Sequence, residues 1–347
     1  MLVLRDSDIS PILHNLTLPQ CHHLLHTLWQ ALAAYTSQHS SPTAPKLLHQ
    51  PVRETIVTDA QHTTLFMPAS DTHSTTGIKI VTLPGGGGAA RGAINIFSPE
   101  GELRGVINAQ QITAFRTALA TMIPFCHYRL PPKANVVVFG AGKQAEWHVR
   151  LALLLAADSI ATVTVVNRRL GTLKRFEETV LAELGETFPG VAFHAITNEQ
   201  ADFYGRLRQA VGDSDAIFCC TPSTQPLFSE SYLRRDDKAR FISLIGSYKP
   251  HMQEVDSATL LSGNNILVDS KEACLEEAGE LIMANVQREQ LVEVGELPSP
   301  GETNEKRLLE GNTVFKCVGM GIMDIVIGRE LLDIAGERGV GIRIESF

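Results

Sequence analysis

One stretch constrains this chain more than any other: VVVFGAGKQA, residues 136–145. Its first half is an unbroken apolar run, the pattern of a strand buried on both faces of a parallel sheet. Its second half fits G-x-G-x-x-A, with Gly140, Gly142 and Ala145 at the diagnostic places and a helix predicted over about 142–156. A strand that turns into a helix through these residues is a dinucleotide cradle. Gly140 permits the tight turn, Gly142 lets the backbone approach a pyrophosphate, and Ala145 keeps the helix close to the strand. The helix start offers phosphates its free N–H groups and the positive end of its dipole. Lys143 and Gln144 lie in the same turn and belong to the expected cofactor set.

Beyond the cradle, strand and helix keep alternating. ATVTVVN, a helix over about 170–185, VAFHAI, AIFCCT, RFISLIG and NILVDS follow, the last closing the series. This alternation implies an α/β fold with a doubly wound, Rossmann-type sheet. The fourth strand runs into CTPST, which places Thr221, Pro222 and Ser223 at a carboxyl end of the sheet, where ligands bind. Thr221 and Ser223 are suited to bond ribose or pyrophosphate, although the segment also reads as an ordinary strand-ending turn.

The end of the second strand selects between cofactors. An acid there would bind both ribose hydroxyls of NAD and repel a 2′-phosphate. This chain has Asn167, Arg168 and Arg169 instead. Asn167 is neutral and still able to bond a ribose oxygen. The two guanidiniums offer forked, charge-assisted donors to a phosphate. Two cations at a helix start, without an anion, would be poor electrostatics. The residues therefore predict NADP(H).

The flanking regions read differently. Leu24, Leu25, Leu28, Leu32 and Tyr35 recur at helical spacing, which predicts a helix over about 18–37, with SQHSSPTAP as a loop after it. His22, His23 and His26 read as solvent-facing residues of that helix, because two histidines without the rest of a motif do not close a metal site. From about 52 to 110 the pattern is of strands: ETIVTD, TTLFMPA, TGIKIVTL, GAINIFS and LRGVIN, with PGGGGAARG and SPEGE as hairpin connections. ITAFRTALATMIPFCHY reads as a helix with Ile112, Phe115, Leu119 and Met122 on one face, and RLPPKA breaks it near Pro131 and Pro132. The C-terminal VFKCVGMGIMDIVIGRELLDIAGERG reads as one long helix.

Composition narrows the partners. The 347 residues suffice for two domains, and a net charge of -8 argues against nucleic acid as a partner. No run reaches the length of a membrane span, and the first residues lack a leader's apolar core. The six cysteines show no C-x-x-C pairing and read as reduced thiols of a cytoplasmic protein.

Taken singly, Arg53, Lys79 and Arg116 read by residue type as surface charges. Taken with their surroundings they read otherwise. TAFRTALAT, GAGKQA, DSKEACLEEAGEL and VFKCVGMGIMD, in that order and spacing, resemble segments of the ornithine cyclodeaminase/mu-crystallin family, which also holds archaeal-type alanine dehydrogenases and ketimine reductases. The resemblance runs from about Arg53 to the C-terminus. It implies a Rossmann domain, 132–312, inserted into an α+β substrate and dimerisation domain, 1–131 plus 313–347. It makes Arg53 and Arg116 the arginines for a substrate carboxylate and Lys79 the active-site lysine. It adds Val318 and Gly319 to the cofactor set, and its VVNRR resembles the NADPH-using mu-crystallin branch.

One loop departs from the family pattern. The cyclodeaminases carry G-x-D-x-P-G-K after the next strand. Here Tyr248 stands where that Asp would be, with His251 and Met252 in place of the Gly and the Lys. A tyrosine with its ordinary pKa near 10 is no carboxylate base at neutral pH. Tyr248 joins Lys79, Arg53 and Arg116 as a candidate at the reaction, and ornithine cyclisation becomes the weaker expectation. The favoured reading is NADPH-dependent reduction of a small cyclic imine carboxylate, such as pyrroline- or piperideine-2-carboxylate, by a homodimer. The alternatives are an ornithine cyclodeaminase or alanine-dehydrogenase-like enzyme, and a non-catalytic, NADPH-dependent ligand-binding protein.

Overall fold

The computed structural model describes Met1 to Glu345 apart from residues 41–44, 87, 129, 234–237, 264–265 and 301–310. The chain forms two compact units, Met1–Thr117 with Gly319–Phe347, and Ala118–Val318.

The second unit is built on a parallel sheet of eight strands. Their order is Ala192–Ile196, Ile160–Val166, Ala134–Phe139, Ala216–Cys219, Phe241–Leu244, Thr313–Lys316, Ile266–Val268, Leu291–Glu293. The chain winds outward in one direction from Ala134–Phe139, then returns to continue on the other side from Ala216–Cys219. The order therefore reverses between these two neighbours, and a crevice opens beyond their carboxyl ends. The central strands are apolar along their whole length because both faces are covered; Ala216–Cys219 and Phe241–Leu244 are buried at every residue.

Two sequence expectations need correction here. NILVDS does not close the series, since Leu291–Glu293 and Thr313–Lys316 both follow it. The long C-terminal helix does not begin at Val314 either. Thr313–Lys316 is an interior strand, and the helix starts at Gly321. A short apolar segment buried on both faces has no periodicity to separate strand from helix. Gly319, at φ +86, marks the break.

The same strand places residues 313–318 in the nucleotide-fold unit rather than the first. At the other boundary, the helix Ala109–Tyr128 passes from one unit to the other at Thr117 instead of ending the first at Pro131. Its later turns bind to the parallel sheet's own residues: the Phe125 ring lies 5.5 Å from those of Phe218 and Phe241, and the Tyr128 hydroxyl donates to Ala239 O. This helix is buried on all sides, not on one face; Ala118, Ala120 and Ile123 are as inaccessible as Phe115 and Leu119.

The first unit carries a mostly antiparallel sheet in the order Ile342–Arg343, Leu2–Leu4, Leu103–Asn108, Arg91–Phe97, Thr75–Leu83, Thr63–Asp71, Leu48–His49, with Glu54–Val57 also paired to Thr63–Asp71. The expected hairpins are present, with Gly87 of the PGGGGAARG connection outside the described residues. The strand Leu2–Leu4 and the helix Asp6–His14 were not foreseen. The predicted first helix is longer, Leu18–Ser40, so residues 37–40 of the expected loop are helical and 41–44 lie outside the described residues.

The helix Gly321–Glu337 packs on one face of this sheet, where Met67, Lys79, Val81, Ile94, Ile96 and Ile107 are buried. The other face is open. Phe66, Pro68, Ile78, Ile80, Ala93 and Val106 on it are only half-buried. His22, His23 and His26 are exposed on their helix, with His23 Nε2 2.9 Å from Glu330 Oε2. No helix of the described residues is long and apolar enough to cross a membrane, and no disulfide links the six cysteines.

Candidate active site

In the second unit the predicted cradle lies at the switch point of the sheet. Gly140 N donates to Val166 O at 2.8 Å, which folds the turn over the end of the next strand. Gly140 has φ +109, and a Cβ there would meet Cys220 O at 2.8 Å, so only glycine fits. Gly142 caps the helix Lys143–Ala156, and a Cβ built on it would meet nothing within 4 Å, so its outer side is open. The first intrahelical bond is Glu146 N to Gly142 O, and the N–H groups of Lys143, Gln144 and Ala145 have no acceptor among the described residues. The Gln144 side-chain oxygen is buried without a partner among the described residues. Unclaimed donors around an open turn fit a pyrophosphate. The Lys143 ammonium is engaged by Glu146 at 2.9 Å.

Asn167 follows the strand Ile160–Val166, its N–H donating to Ile196 O and its side-chain amide to Arg169 O. That second bond shapes the turn into the next helix, for which Arg169 is the capping residue. Arg168 and Arg169 are exposed, and neither guanidinium meets a carboxylate among the described residues. Both are placed to take a phosphate, and the open turn fits a nicotinamide dinucleotide.

Thr221 has a partner that sequence reasoning did not foresee. Its N–H and hydroxyl both donate to Glu254 Oε1, at 2.6 and 2.9 Å. The other oxygen of Glu254 accepts from Ile245 N and Gly246 N, at 3.0 and 2.7 Å. This fully buried carboxylate therefore ties together the loops that follow two adjacent central strands. Burial pushes it up to about 7, while Lys316 and the N–H donors pull the other way. Beneath it, Glu280 accepts from Glu254 N and from the Ser247 hydroxyl, and the buried Lys316 ammonium donates to Ser247. Ser223 turns to Gln225 O, and Pro222 is exposed. Val318 N donates to Asp269 Oδ1 at 3.3 Å.

Tyr248 lies in the loop held by Glu254 and Ser247. It is half-buried, with Lys249 Nζ 5.6 Å from its ring centroid.

In the first unit the structure overturns the residue-type expectation for two cations. Lys79 is 1% exposed and Arg116 3%. Strand alternation turns Lys79 to the helix-covered face, and both reach one carboxylate there, Asp324. Lys79 Nζ is 2.7 Å from Asp324 Oδ2, and Arg116 Nε is 2.9 Å from Oδ1. Arg116 Nη1 also contacts Met323 Sδ at 3.3 Å, leaving Nη2 without a protein partner among the described residues. Among the described residues no other acceptor takes the Lys79 ammonium. Arg53 is half-buried and near enough for its charge to be felt at Lys79. Burial first, then Arg116, lower the Lys79 pKa from 10.5 to about 8; Asp324 opposes them and Arg53 adds to them.

Gly319 belongs to this cluster. A Cβ there would come within 2.5 Å of Arg116 Nη1, so the glycine makes room for the guanidinium. Asp324 lay inside the VFKCVGMGIMD motif without a role of its own. Its signal was a lone charge in an otherwise apolar run from Met320 to Gly328.

Comparison with known proteins adds to this geometry. The model of the ornithine cyclodeaminase/mu-crystallin family matches residues 22–338. An uncharacterised protein of Saccharomyces cerevisiae is 31% identical, over 96% of each chain. A delta(1)-pyrroline-2-carboxylate reductase of Bacillus cereus is 28% identical, over 85% of this chain and 89% of that one. Among solved structures, the delta(1)-pyrroline-2-carboxylate reductase of Thermococcus litoralis, in complex with NADH and L-proline, superposes with a TM-score of 0.79 over 99% of this chain and 100% of that one, at 21% identity. That last likeness is one of fold.

Proposed function

This chain belongs to the ornithine cyclodeaminase/mu-crystallin family, and on that premise we propose that it is an NADPH-dependent reductase of small carboxylated imines. The observation that carries the reading is the buried cluster of Lys79, Arg116 and Asp324, with Arg53 beside it. Lys79 and Arg116 share the one carboxylate of Asp324, and two cations to one acid suit a substrate that brings a carboxylate of its own. Cyclic ketimines such as pyrroline- or piperideine-2-carboxylate have that charge and a planar carbon, and the name of the Bacillus relative points the same way.

Each residue then has a task. Arg116, its Nη2 unclaimed, and Arg53 bind the carboxylate and so fix the orientation of the C=N carbon beside it. Lys79, with a pKa near 8, is mostly protonated at neutral pH yet releases a proton readily, and it donates that proton to the imine nitrogen. NADPH, when bound, supplies the hydride that the carbon accepts. Arg168 and Arg169 hold the 2′-phosphate, and the N–H groups of Lys143, Gln144 and Ala145 hold the pyrophosphate. One hydride and one proton convert C=N to CH–NH, so no carboxylate base is needed. Tyr248, which stands where the cyclodeaminases carry their Asp, accordingly makes ornithine cyclisation the poorer fit.

The open face of the first unit's sheet supports a homodimer. It presents Phe66, Ile78, Ile80 and Val106 half-buried, beside a strand with Ile56 50% and Val57 58% exposed. The spacing of the six cysteines, with no C-x-x-C pairing, supports a cytoplasmic location.

The carboxylate's part is tested by offering piperideine-2-carboxylate and its analogue without the carboxylate. Loss of the charged contacts is expected to lower kcat/KM at least about a hundredfold. Equal turnover of both compounds would contradict the assignment of Arg53 and Arg116.

A further inference from the structure

The buried acid beneath the reactive lysine is not explained by stability. Asp324 is 0% exposed in the first turn of the helix Gly321–Glu337, and it contacts two cations that are themselves buried. Burying such a group of charges usually stabilises no more than apolar residues of the same volume would. A helix could be fastened to this sheet by leucines. The charges facing Lys79 are Asp324 from that helix, Arg116 from the helix Ala109–Tyr128, and Arg53 from the segment before the strand Glu54–Val57. Of these, Asp324 alone favours the ammonium form.

We propose that Asp324 is the positioning residue of the reaction: as the shared counter-ion of Lys79 and Arg116, it keeps the buried lysine protonated at neutral pH and holds the guanidinium edge-on, so that Nη2 faces the substrate. The geometry divides these tasks between its two oxygens, Oδ2 at 2.7 Å from Lys79 Nζ and Oδ1 at 2.9 Å from Arg116 Nε. The first turn of a helix is the place where a buried carboxylate is best kept ionised, because the dipole and free N–H groups favour the anion. Without the anion, burial and two arginines would all act to discharge Lys79. The inference rests on the reductase reading, and Asp324 itself touches neither substrate nor cofactor in it.

The test compares wild type, Asp324→Asn and Asp324→Glu. Wild-type kcat/KM for imine reduction should fall with rising pH through a limb near pH 8, where Lys79 loses its proton. In Asp324→Asn that limb should move at least about one pH unit toward acid, so that activity lost at pH 8 returns in part at pH 6. Asp324→Glu should keep the limb near 8 at a reduced rate, and both variants should bind NADPH within about twofold of wild type. An Asp324→Asn profile lowered equally at every pH would mean a merely structural acid and overturn the proposal.

A second readout needs no turnover. Protein labelled with carbon-13 at the lysine Cε, with the Lys79 signal identified by its loss in Lys79→Arg, gives the lysine's own titration. A wild-type midpoint near 8 that drops in Asp324→Asn supports the proposal. A wild-type midpoint below about 6.5, or one that the variant leaves in place, overturns it even where Asp324→Asn folds poorly or no imine is reduced. A complete absence of imine reduction, with the titration as expected, would sink the reductase reading alone.

Discussion

At the scale of the residue, position 79 shows what a sequence can and cannot say. Strand alternation puts Lys79 on the face opposite Ile78 and Ile80, and the structure has Lys79 buried between two half-buried isoleucines. It could not say that a helix more than two hundred residues later would cover the same face and bring Asp324 to the ammonium. Periodicity reports which side a residue faces; it does not report its partner. The places of Asn167, Arg168 and Arg169, at a strand end and in the turn into the next helix, were legible for the opposite reason. Their meaning depends only on a strand end and the turn after it, both local. If the exposed guanidiniums bind the 2′-phosphate, replacing both with alanine should weaken NADPH by at least about tenfold, from two charge-assisted contacts of roughly 1.5–3 kcal/mol each. NADH should be nearly unaffected. Fluorescence titration with the two cofactors measures this, and an equal loss for both would remove the case for NADP(H).

At the scale of the element, the cradle could be placed from its fingerprint, whereas the loops around it could not. Thr221 seemed available to a ribose, yet its hydroxyl and N–H belong to Glu254, whose other oxygen holds Ile245 and Gly246. Nothing near Glu254 in the sequence marks it, because its partners are two backbone N–H groups at the start of its own loop and the N–H and hydroxyl of Thr221 on another. The strand Thr313–Lys316 was missed for a related reason: an interior strand is apolar throughout and loses the period that identifies it. Glu254→Gln would put an amide NH2 where four donors now converge on two oxygens. Each donor left unmatched in the interior costs about 1–3 kcal/mol. The variant should melt several degrees lower and bind NADPH at least about tenfold more weakly, since both loops flank the crevice. Wild-type affinity in this variant would mean that the loops keep their shape without the carboxylate.

At the scale of the whole molecule, the family resemblance implied a nucleotide fold inserted into a second domain; the chain divides into one continuous and one split unit. The junctions lie elsewhere than the proline break suggested, because a helix can serve two units without interruption. The half-buried apolar face of the first unit predicts a dimer. Light scattering at micromolar concentration should give twice the 37.8 kDa of the chain. Ile80→Lys, at the centre of that face, should shift it toward the monomer, and a wild-type monomer would leave the face without an explanation.

The central claim is the choice of reaction, and a crossed assay tests it most directly. The purified enzyme is given pyrroline- or piperideine-2-carboxylate with NADPH, and separately ornithine with NAD. Cofactor oxidation is followed in the first case, and proline and ammonia in the second. The cluster of Lys79, Arg53 and Arg116 predicts rapid NADPH oxidation with a cyclic imine carboxylate and no proline from ornithine. Robust formation of proline and ammonia, with no NADPH consumed on either imine, would contradict it.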